Sequence, residues 1–253
     1  MLRFSRETSR AIIDTLGSRI KPTRLQTMES VLRKRTDNVC IVLENLCDPH
    51  NGDACMRTCD AMGVQNVHII KKYDTCHGSN KYAQWLSVNY HEQTETCLSA
   101  LKLQGYSIYV SELGEGSSNL HDLDFMSRDT AAEGTVRNVA DSELETRTNA
   151  SLDKRINARE KVCIVLGNER RGASYICKKM ADRTFQIPMH GFVQSYNVSV
   201  SCALILQYLR LVGVMGSPLP EEVQNDLLAF WLLKDVRQSI KVLHRLGVVI
   251  PDF

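Results

Sequence analysis

The sequence predicts an α/β fold, in which a parallel β-sheet is covered by helices on both faces and helical extensions lie at both ends of the chain. Short apolar runs at 38–43 and 161–166 alternate with segments of helical periodicity, a pattern typical of parallel strands buried on both faces. Before residue 38 and after residue 212 only helical periodicity is found. A length of 253 residues fits one such core with extensions.

The chain is therefore divided into three regions. Residues 1–37 form a basic helical extension, 38–212 the α/β core, and 213–253 a second helical extension. Within the core, the segment 126–160 contains no aromatic residue and is crowded with charged and small polar residues. It offers little apolar surface to offset the entropy of ordering, and we expect a disordered insertion in a loop.

The elements follow from periodicity and from glycine and proline positions. Helices are predicted at 4–20 and 22–34, the second of which begins with Pro22 in a favourable first-turn position. A glycine follows the helices at 51–62 and 92–104, and Gly63 suits a left-handed helix end. Strands are predicted at 38–43, 66–70, 106–110, 161–166 and 184–187. A short helix is expected after Gly172, ending at about 181, and another at 197–212. The last element is predicted to be one long amphipathic helix at about 220–246.

Composition excludes several classes of protein. Hydrophobic residues make up 43% and charged residues 24% of a chain with formal net charge +2, so any nucleic-acid partner must be inferred from the placement of charge. The nine cysteines include no CxxC pair and several lie in apolar runs. We expect reduced, packed thiols and no disulfide framework. The seven histidines lack ligand spacing, and no metal site is expected.

No membrane association is expected either. No apolar stretch reaches the roughly 18 residues of a membrane span, and no secretory apolar segment follows Met1. The basic residues near the start are interspersed with Glu7 and Asp14. A cytoplasmic location is expected, and an organellar one is left open.

Three polar segments begin where predicted strands end, at the edge where open α/β sheets bind ligands. The first, 44–63, contains Asn51 and, just under two helical turns later, Arg57. The second, 166–172, is a polar loop bracketed by glycines. The third, 187–201, joins an apolar Ile-Pro-Met-His-Gly stretch to a Ser-x-Asn helix cap. Each segment alone also has a purely structural explanation. The first could be a capped helix with a solvated arginine, the second an ordinary strand-to-helix turn, and the third a simple helix cap.

Taken together, the segments resemble the signature motifs of the SPOUT superfamily, in its SpoU/TrmH branch of ribose 2′-O-methyltransferases. The matching residues are Asn-x-x-Ala-x-x-Arg-Thr-Cys-Asp-Ala-x-Gly at 51–63, Gly-x-Glu-x-x-Gly at 167–172, and Ile-Pro-Met-x-Gly-x-x-x-Ser-x-Asn-Val-Ser-Val at 187–200. The resemblance covers about residues 22 to 212. It is nearest to enzymes that methylate the D-loop guanosine, guanosine-18, of tRNA. It implies a trefoil knot, a homodimer with active sites shared between subunits, S-adenosylmethionine as cofactor and tRNA as substrate.

The resemblance also implies roles for individual residues. Arg57 would grip a phosphate and stabilise negative charge on the ribose 2′-oxygen, oriented by Asn51 and Glu169. Ser195 and Asn197 would fix the loop and the RNA backbone. Backbone groups lining the cofactor pocket are expected at Ser111, Gly167, Ile187, Met189 and Tyr196. Tyr196 and Cys202 depart from the residues usual in the family, as do the insertion at 126–160 and the helix at 4–20.

RNA binding is also indicated by local charge. Residues 1–40 contain nine Lys or Arg against four acidic residues, and phosphate contacts require such cationic surface. We predict RNA contacts at Arg33, Lys34, Arg35, Arg170 and Arg171. The alternative explanation is an ordinary solvated helix face.

Two other functions are left open. One is 2′-O-methylation of ribosomal RNA. In that branch the enzymes often carry a separate N-terminal RNA-binding domain, whereas only about 37 residues precede the first predicted strand here, which favours tRNA. The other is a catalytically silent RNA-binding protein on the same scaffold. Such a protein would be free to lose Arg57 or Glu169, and both are present.

Overall fold

A seven-stranded parallel sheet forms the centre of the protein. The computed structural model describes residues 4–71, 83–125 and 161–250, apart from 115, 124, 217 and 249. Every strand pairing in it is parallel, and the strand order is β3-β2-β1-β6-β4-β7-β5. The strands are β1 (Thr36–Glu44), β2 (Val64–Ile70), β3 (Ser87–His91), β4 (Tyr106–Ser111), β5 (Ser118–Asn119), β6 (Lys161–Leu166) and β7 (Arg183–Gln186). The predicted α/β class is confirmed.

Helices cover both faces of this sheet. Helices α3 (Pro49–Met62) and α6 (Val198–Leu211) pack together on one face, and α4 (Thr94–Leu103) and α5 (Tyr175–Met180) pack on the other. Gly63 ends α3 with φ of 80°, the left-handed geometry predicted for it. Because β1 and β6 lie in the middle of the sheet, their side chains are almost all buried, which explains their continuous apolar runs.

Two strands were not predicted. β3 is an edge strand with the sequence Ser-Val-Asn-Tyr-His, and none of its five residues is fully buried. β5 is only two residues long. Neither carries the apolar run that marks a buried strand, so neither is visible to a periodicity argument.

The helices at the two ends of the chain pack against each other. α1 (Arg6–Gly17) and α2 (Pro22–Leu32) share one hydrophobic cluster with α7 (Glu221–Asp235) and α8 (Ser239–Arg245). Trp231 of α7 meets Trp85 of the core edge to face, with ring centroids 5.6 Å apart. The two predicted extensions thus form a single helical layer beside the sheet. The region boundaries drawn from the sequence stay a prediction.

The prediction of one long helix at 220–246 is wrong. α7 ends at Asp235, and Gln238 adopts φ of 58° before α8 begins at Ser239. The Ser239 hydroxyl donates a hydrogen bond of 2.6 Å to the carbonyl of Leu233 and stabilises this turn. The break redirects the chain so that Leu243 packs into the same cluster as α7.

The prediction of an RNA contact at Arg35 also needs correction, because Arg35 lies in the interior. It is only 1% exposed. Its guanidinium forms an ion pair with Asp60, donates hydrogen bonds to the carbonyls of Asp60 and Val64, and lies 5.6 Å from the Trp231 ring centroid. Arg35 therefore joins the core to the terminal helices. Its neighbours Arg33 and Lys34 are exposed.

The predicted insertion at 126–160 lies outside the described residues. Within the described part of the chain, no helix is long and apolar enough to cross a membrane.

A buried histidine, His68, paired with the half-buried His91, predicts acid sensitivity. His68 Nδ1 lies 3.0 Å from His91 Nε2, and burial, followed by the charge of His91, lowers the pKa of His68 to about 4. The unfolded value is about 6.5, so the unfolded chain binds more protons. The free energy of unfolding should therefore fall as pH drops from about 6.5 towards 4, by on the order of 3 kcal/mol. Urea unfolding at several pH values measures this slope.

His68→Gln should flatten that slope, whatever its effect on stability at neutral pH. His121→Gln is the matched control, since His121 is exposed and its replacement should leave the slope unchanged. An undiminished slope in His68→Gln would show that other groups cause the acid sensitivity.

Candidate active site

The three polar segments come together at the carboxyl ends of the strands. They surround a cavity of about 600 Å³, whose lining includes Ser111 at the end of β4, residues 166–172 at the end of β6, and parts of the segment 186–198 that begins at the end of β7. Nine of the ten residues predicted to be catalytic or cofactor-binding line it: Asn51, Glu169, Ser195, Asn197, Ser111, Gly167, Ile187, Met189 and Tyr196. Their convergence from distant parts of the sequence is the main structural support for a site here.

The 167–172 loop is held in shape by Asn168. Its side-chain amide donates to the Asn45 carbonyl at 2.6 Å, and its side-chain oxygen accepts from the backbone N–H groups of Arg170 and Arg171 at 2.9 and 3.1 Å. At Gly167 a Cβ would collide with the backbone of Gly172 and Ala173, lying 2.6 Å from the Cα of Ala173. Only glycine therefore permits this loop to close so tightly.

Buried Glu44 anchors the far end of the loop. Its carboxylate accepts hydrogen bonds from the Ser174 N–H at 2.8 Å and from the Ser174 and Thr94 hydroxyls at 2.7 and 2.6 Å. Ser174 is the N-cap of α5. The end of β1 and the beginnings of α4 and α5 are thereby fixed to one another.

Glu169 connects this loop to the beginning of α3. Its carboxylate accepts from the backbone N–H groups of Cys47 and Asp48, at 2.7 and 3.2 Å, and from the Asn51 side chain at 2.9 Å. Burial acts to raise the pKa of Glu169, but these hydrogen bonds outweigh it and leave the pKa below its usual value. Glu169 is therefore an ionised hydrogen-bond acceptor at neutral pH.

A hydrogen bond between Asn51 and Asn197 connects the beginnings of helices α3 and α6. The Asn197 amide donates to the Asn51 side-chain oxygen at 3.0 Å, while its own oxygen caps α6 by accepting from the Ser199 N–H at 2.8 Å. Glu169, Asn51 and Asn197 thus form one chain of hydrogen bonds. It aligns the N-termini of α3 and α6 with the cavity.

Arg57 lies on α3, six residues after Asn51 or about 9 Å further along the helix. It is exposed, and among the described residues it is outside the set that lines the cavity. The network described above fixes the beginning of its helix. Direct hydrogen bonding of Arg57 by Asn51 and Glu169 stays a prediction.

The predicted basic residues fall into two groups. Arg170 and Arg171 are exposed and belong to the lining of the cavity. Exposed Arg33 and Lys34 line a smaller cavity of about 160 Å³ at the amino end of β1, together with Arg210 and buried Arg35. The length of β1 separates that cavity from the site by about 26 Å.

Sequence reasoning missed Glu112 and Asn168. Both line the cavity, and Glu112 forms an ion pair with Lys178 at 2.6 Å. The position of Glu112, directly after Ser111 at the end of a strand, was the available signal. Asn168 was visible as the polar residue between Gly167 and Glu169.

Metal ligands do not gather at this cavity in the described part of the chain. Elsewhere among the described residues, one group of three side chains has possible ligand atoms within 4.8 Å of each other, namely His68, His91 and Cys97. It lies towards the β3 edge of the sheet, and the hydrogen bond between the two histidines explains their proximity. The expectation that no metal is bound stays a prediction.

The cavity suits a nucleoside cofactor with a charged tail. Apolar Ile187, Met189 and Tyr196 lie beside the polar groups of Glu112 and Asn168 in its lining. The tight turn at Gly167 allows a ligand to approach the backbone, which a Cβ would prevent. The lining of the cavity is thus compatible with the prediction from the sequence that these residues bind S-adenosylmethionine.

Comparison with known proteins gives consistent matches. The model of the SpoU rRNA methylase family matches residues 38–207. A tRNA (guanosine(18)-2′-O)-methyltransferase of Thermus thermophilus is 30% identical over 223 residues, which cover 83% of this chain and 96% of that protein. The crystal structure of the A. aeolicus TrmH/SpoU tRNA modifying enzyme has a TM-score of 0.65 at 25% identity, covering 86% of this chain and 98% of that one. A 23S rRNA (guanosine-2′-O-)-methyltransferase of Neisseria meningitidis is 27% identical over 195 residues, 74% of this chain and 64% of that protein.

Proposed function

The chain belongs to the SpoU methylase family, and on that premise we propose that it transfers a methyl group from S-adenosylmethionine to the 2′-hydroxyl of guanosine-18 in tRNA. One observation carries this proposal. The motif residues Asn51, Glu169, Ser195 and Asn197, up to 146 residues apart in sequence, line a single cavity and are partly joined by hydrogen bonds.

The residues of the chain have separate roles in this reaction. When bound, S-adenosylmethionine supplies a methyl group on a sulfonium, which is already a strong electrophile. Arg57 is a poor base because its pKa exceeds about 12. Its guanidinium instead holds the adjacent phosphate of the RNA and stabilises the negative charge that develops on the 2′-oxygen. The hydroxyl proton is released to water, and S-adenosylhomocysteine is the second product. Glu169, Asn51 and Asn197 orient the helix that carries it, and Ser195 contacts the RNA backbone.

The separation of the two basic groups supports a folded RNA substrate. Arg170 and Arg171 lie at the cavity, and Arg33 and Lys34 lie about 26 Å away along β1. A substrate that contacts both must extend across this distance in addition to presenting one ribose. The compact shape of tRNA provides both features, and Arg35 takes no part because it is buried.

We also propose a trefoil knot and a homodimer. Support for the knot is the insertion of β6 between β1 and β4, and of β7 between β4 and β5. Support for the dimer is an apolar surface near the cavity, made of Phe192, Val193, Tyr196, Val200 and Leu204. Several large apolar side chains exposed within 13 residues of sequence are more than the isolated ones that ordinary surfaces carry, and such a concentration is typical of a protein interface.

Leu204→Glu is expected to convert the dimer to a monomer. Leu204 is 41% exposed on α6, and a carboxylate buried there without a partner would oppose association. Leu103→Glu is the matched control, because Leu103 is 91% exposed at the end of α4 on the other face of the sheet. Light scattering at micromolar concentration reports the mass. A dimeric Leu204→Glu, or a monomeric wild type, would contradict this interface.

The second candidate function is methylation of ribosomal RNA, favoured by the likeness to the Neisseria enzyme. The chain covers 64% of that protein but 96% of the Thermus tRNA enzyme. The Thermus tRNA enzyme is 30% identical over 83% of this chain, whereas the Neisseria enzyme is 27% identical over 74% of it, and this greater likeness supports tRNA over ribosomal RNA.

Methyl transfer with labelled S-adenosylmethionine tests the proposed function. Purified protein is incubated with unmodified tRNA or with a fragment of ribosomal RNA, in the presence of chelator, and the RNA is digested to nucleosides. We expect label in 2′-O-methylguanosine from tRNA. Label only in ribosomal RNA would favour the second candidate, label on a base would contradict the reaction, and loss of transfer with chelator would contradict the absence of metal.

A further inference from the structure

We propose that Glu112 binds the ribose hydroxyls of the cofactor and so contributes to its recognition. This inference rests on the proposed function, because it assigns a partner to one side chain in the cofactor cavity. Glu112 is not among the motif residues.

The sheet places Glu112 between two cofactor-binding segments. Ser111, the residue before it, pairs with Leu166 of β6 on one side and with Phe185 of β7 on the other. The backbone N–H of Glu112 donates to the Phe185 carbonyl at 2.8 Å. Glu112 therefore stands between Gly167 and Gln186, where β4, β6 and β7 end together.

Glu112 is one of the residues that line the cavity. Its side chain is 18% exposed, and Oε1 accepts a hydrogen bond of 2.6 Å from Lys178 Nζ. The other oxygen, Oε2, would lie 3.2 Å from a Cβ placed on Gly172. The absence of a side chain at residue 172 leaves space beside this oxygen.

The ion pair determines which group suits the remaining acceptor capacity of Glu112. Lys178 balances the charge of the carboxylate, so a second cation placed there would also be repelled by Lys178. A neutral donor meets no such opposition. The ribose of an adenosine carries two adjacent hydroxyl donors, and an ionised carboxylate has lone pairs to accept both. An acidic residue that binds ribose hydroxyls is a known solution in other α/β nucleotide sites.

The sulfonium of the cofactor is a poorer candidate than the ribose as the partner of Glu112, for a second reason. A carboxylate close to the sulfonium would stabilise a positive charge that disappears during methyl transfer, and would slow the reaction. A ribose contact is the same before and during the reaction. It should therefore affect binding and leave the chemical step unchanged.

Binding of two ligands to two proteins tests this assignment. Calorimetry measures the affinity of wild type and Glu112→Ala for S-adenosylhomocysteine and for its 2′,3′-dideoxy analogue. Glu112→Ala should weaken binding of S-adenosylhomocysteine by about 10- to 100-fold, the range for hydrogen bonds to a charged group. It should barely change binding of the dideoxy analogue. Glu95→Ala, on exposed α4 surface, should change neither.

Steady-state kinetics gives a second measurement. Glu112→Ala should raise KM for S-adenosylmethionine and leave kcat near the wild-type value. Equal losses with both ligands, or no loss with either, would overturn the ribose assignment while leaving the methyltransferase function intact. If wild type bound neither ligand, the cofactor assignment itself would fail.

Discussion

Arg57→Ala is expected to slow single-turnover methylation of tRNA by about 10²–10³-fold, the usual cost of removing one donor that stabilises a developing oxyanion. Cofactor affinity should barely change, because Arg57 lies outside the residues that line the cavity. Affinity for tRNA should fall only modestly, since one phosphate contact among many is lost. Single-turnover rates and separate binding titrations distinguish the three effects.

Folding is not expected to confuse this result. Arg57 is exposed on α3, and alanine is a better helix former than arginine. Arg245→Ala, an exposed arginine at the end of α8, is the matched control and should retain the wild-type rate. An unchanged rate in Arg57→Ala, or a loss explained entirely by weaker RNA binding, would remove Arg57 from catalysis.

The second large effect is expected for Gly167→Ala. The added methyl group would overlap the backbone of Gly172 and Ala173, so the loop must open. Overpacking of this kind costs about 1–3 kcal/mol, which corresponds to roughly 10- to 100-fold weaker binding of S-adenosylhomocysteine if the closed loop is the binding form. Calorimetry measures this loss directly.

Gly114→Ala is the matched control, because a Cβ at residue 114 meets nothing within 4 Å. Its affinity should equal that of wild type. Wild-type affinity in Gly167→Ala would show that the tight turn is irrelevant to cofactor binding. Circular dichroism and the urea midpoint should be compared for both variants, so that a general loss of folding is recognised as such.

The centre of the fold could be predicted from the sequence, whereas its edges could not. Apolar runs identify β1 and β6 because both faces of these strands are buried. β3 is half-exposed, so its sequence lacks that signal. The turn at Gln238 carries neither glycine nor proline, and the apolar positions continue from Leu227 to Leu243 across it. Only packing between the terminal helices reveals that break.

Prediction of the charged residues of the site from the sequence was limited in the same way. The motif resemblance identified residues that the structure brings to one cavity, because their spacing is fixed by strand ends and helix starts. Arg35 follows two exposed basic residues and was grouped with them, yet its partners Asp60 and Trp231 are distant in sequence and draw it inside. Glu112 was missed because one acidic residue after a strand has no distinguishing pattern.

A tRNA with a single 2′-deoxyguanosine at position 18 tests the central claim most directly. The substitution removes one hydroxyl and leaves the rest of the substrate unchanged. With labelled S-adenosylmethionine, we predict full transfer to the unmodified transcript and no transfer above background to the deoxy-substituted one, although both should bind with similar affinity. Undiminished transfer to the deoxy-substituted tRNA would contradict methylation of the guanosine-18 ribose.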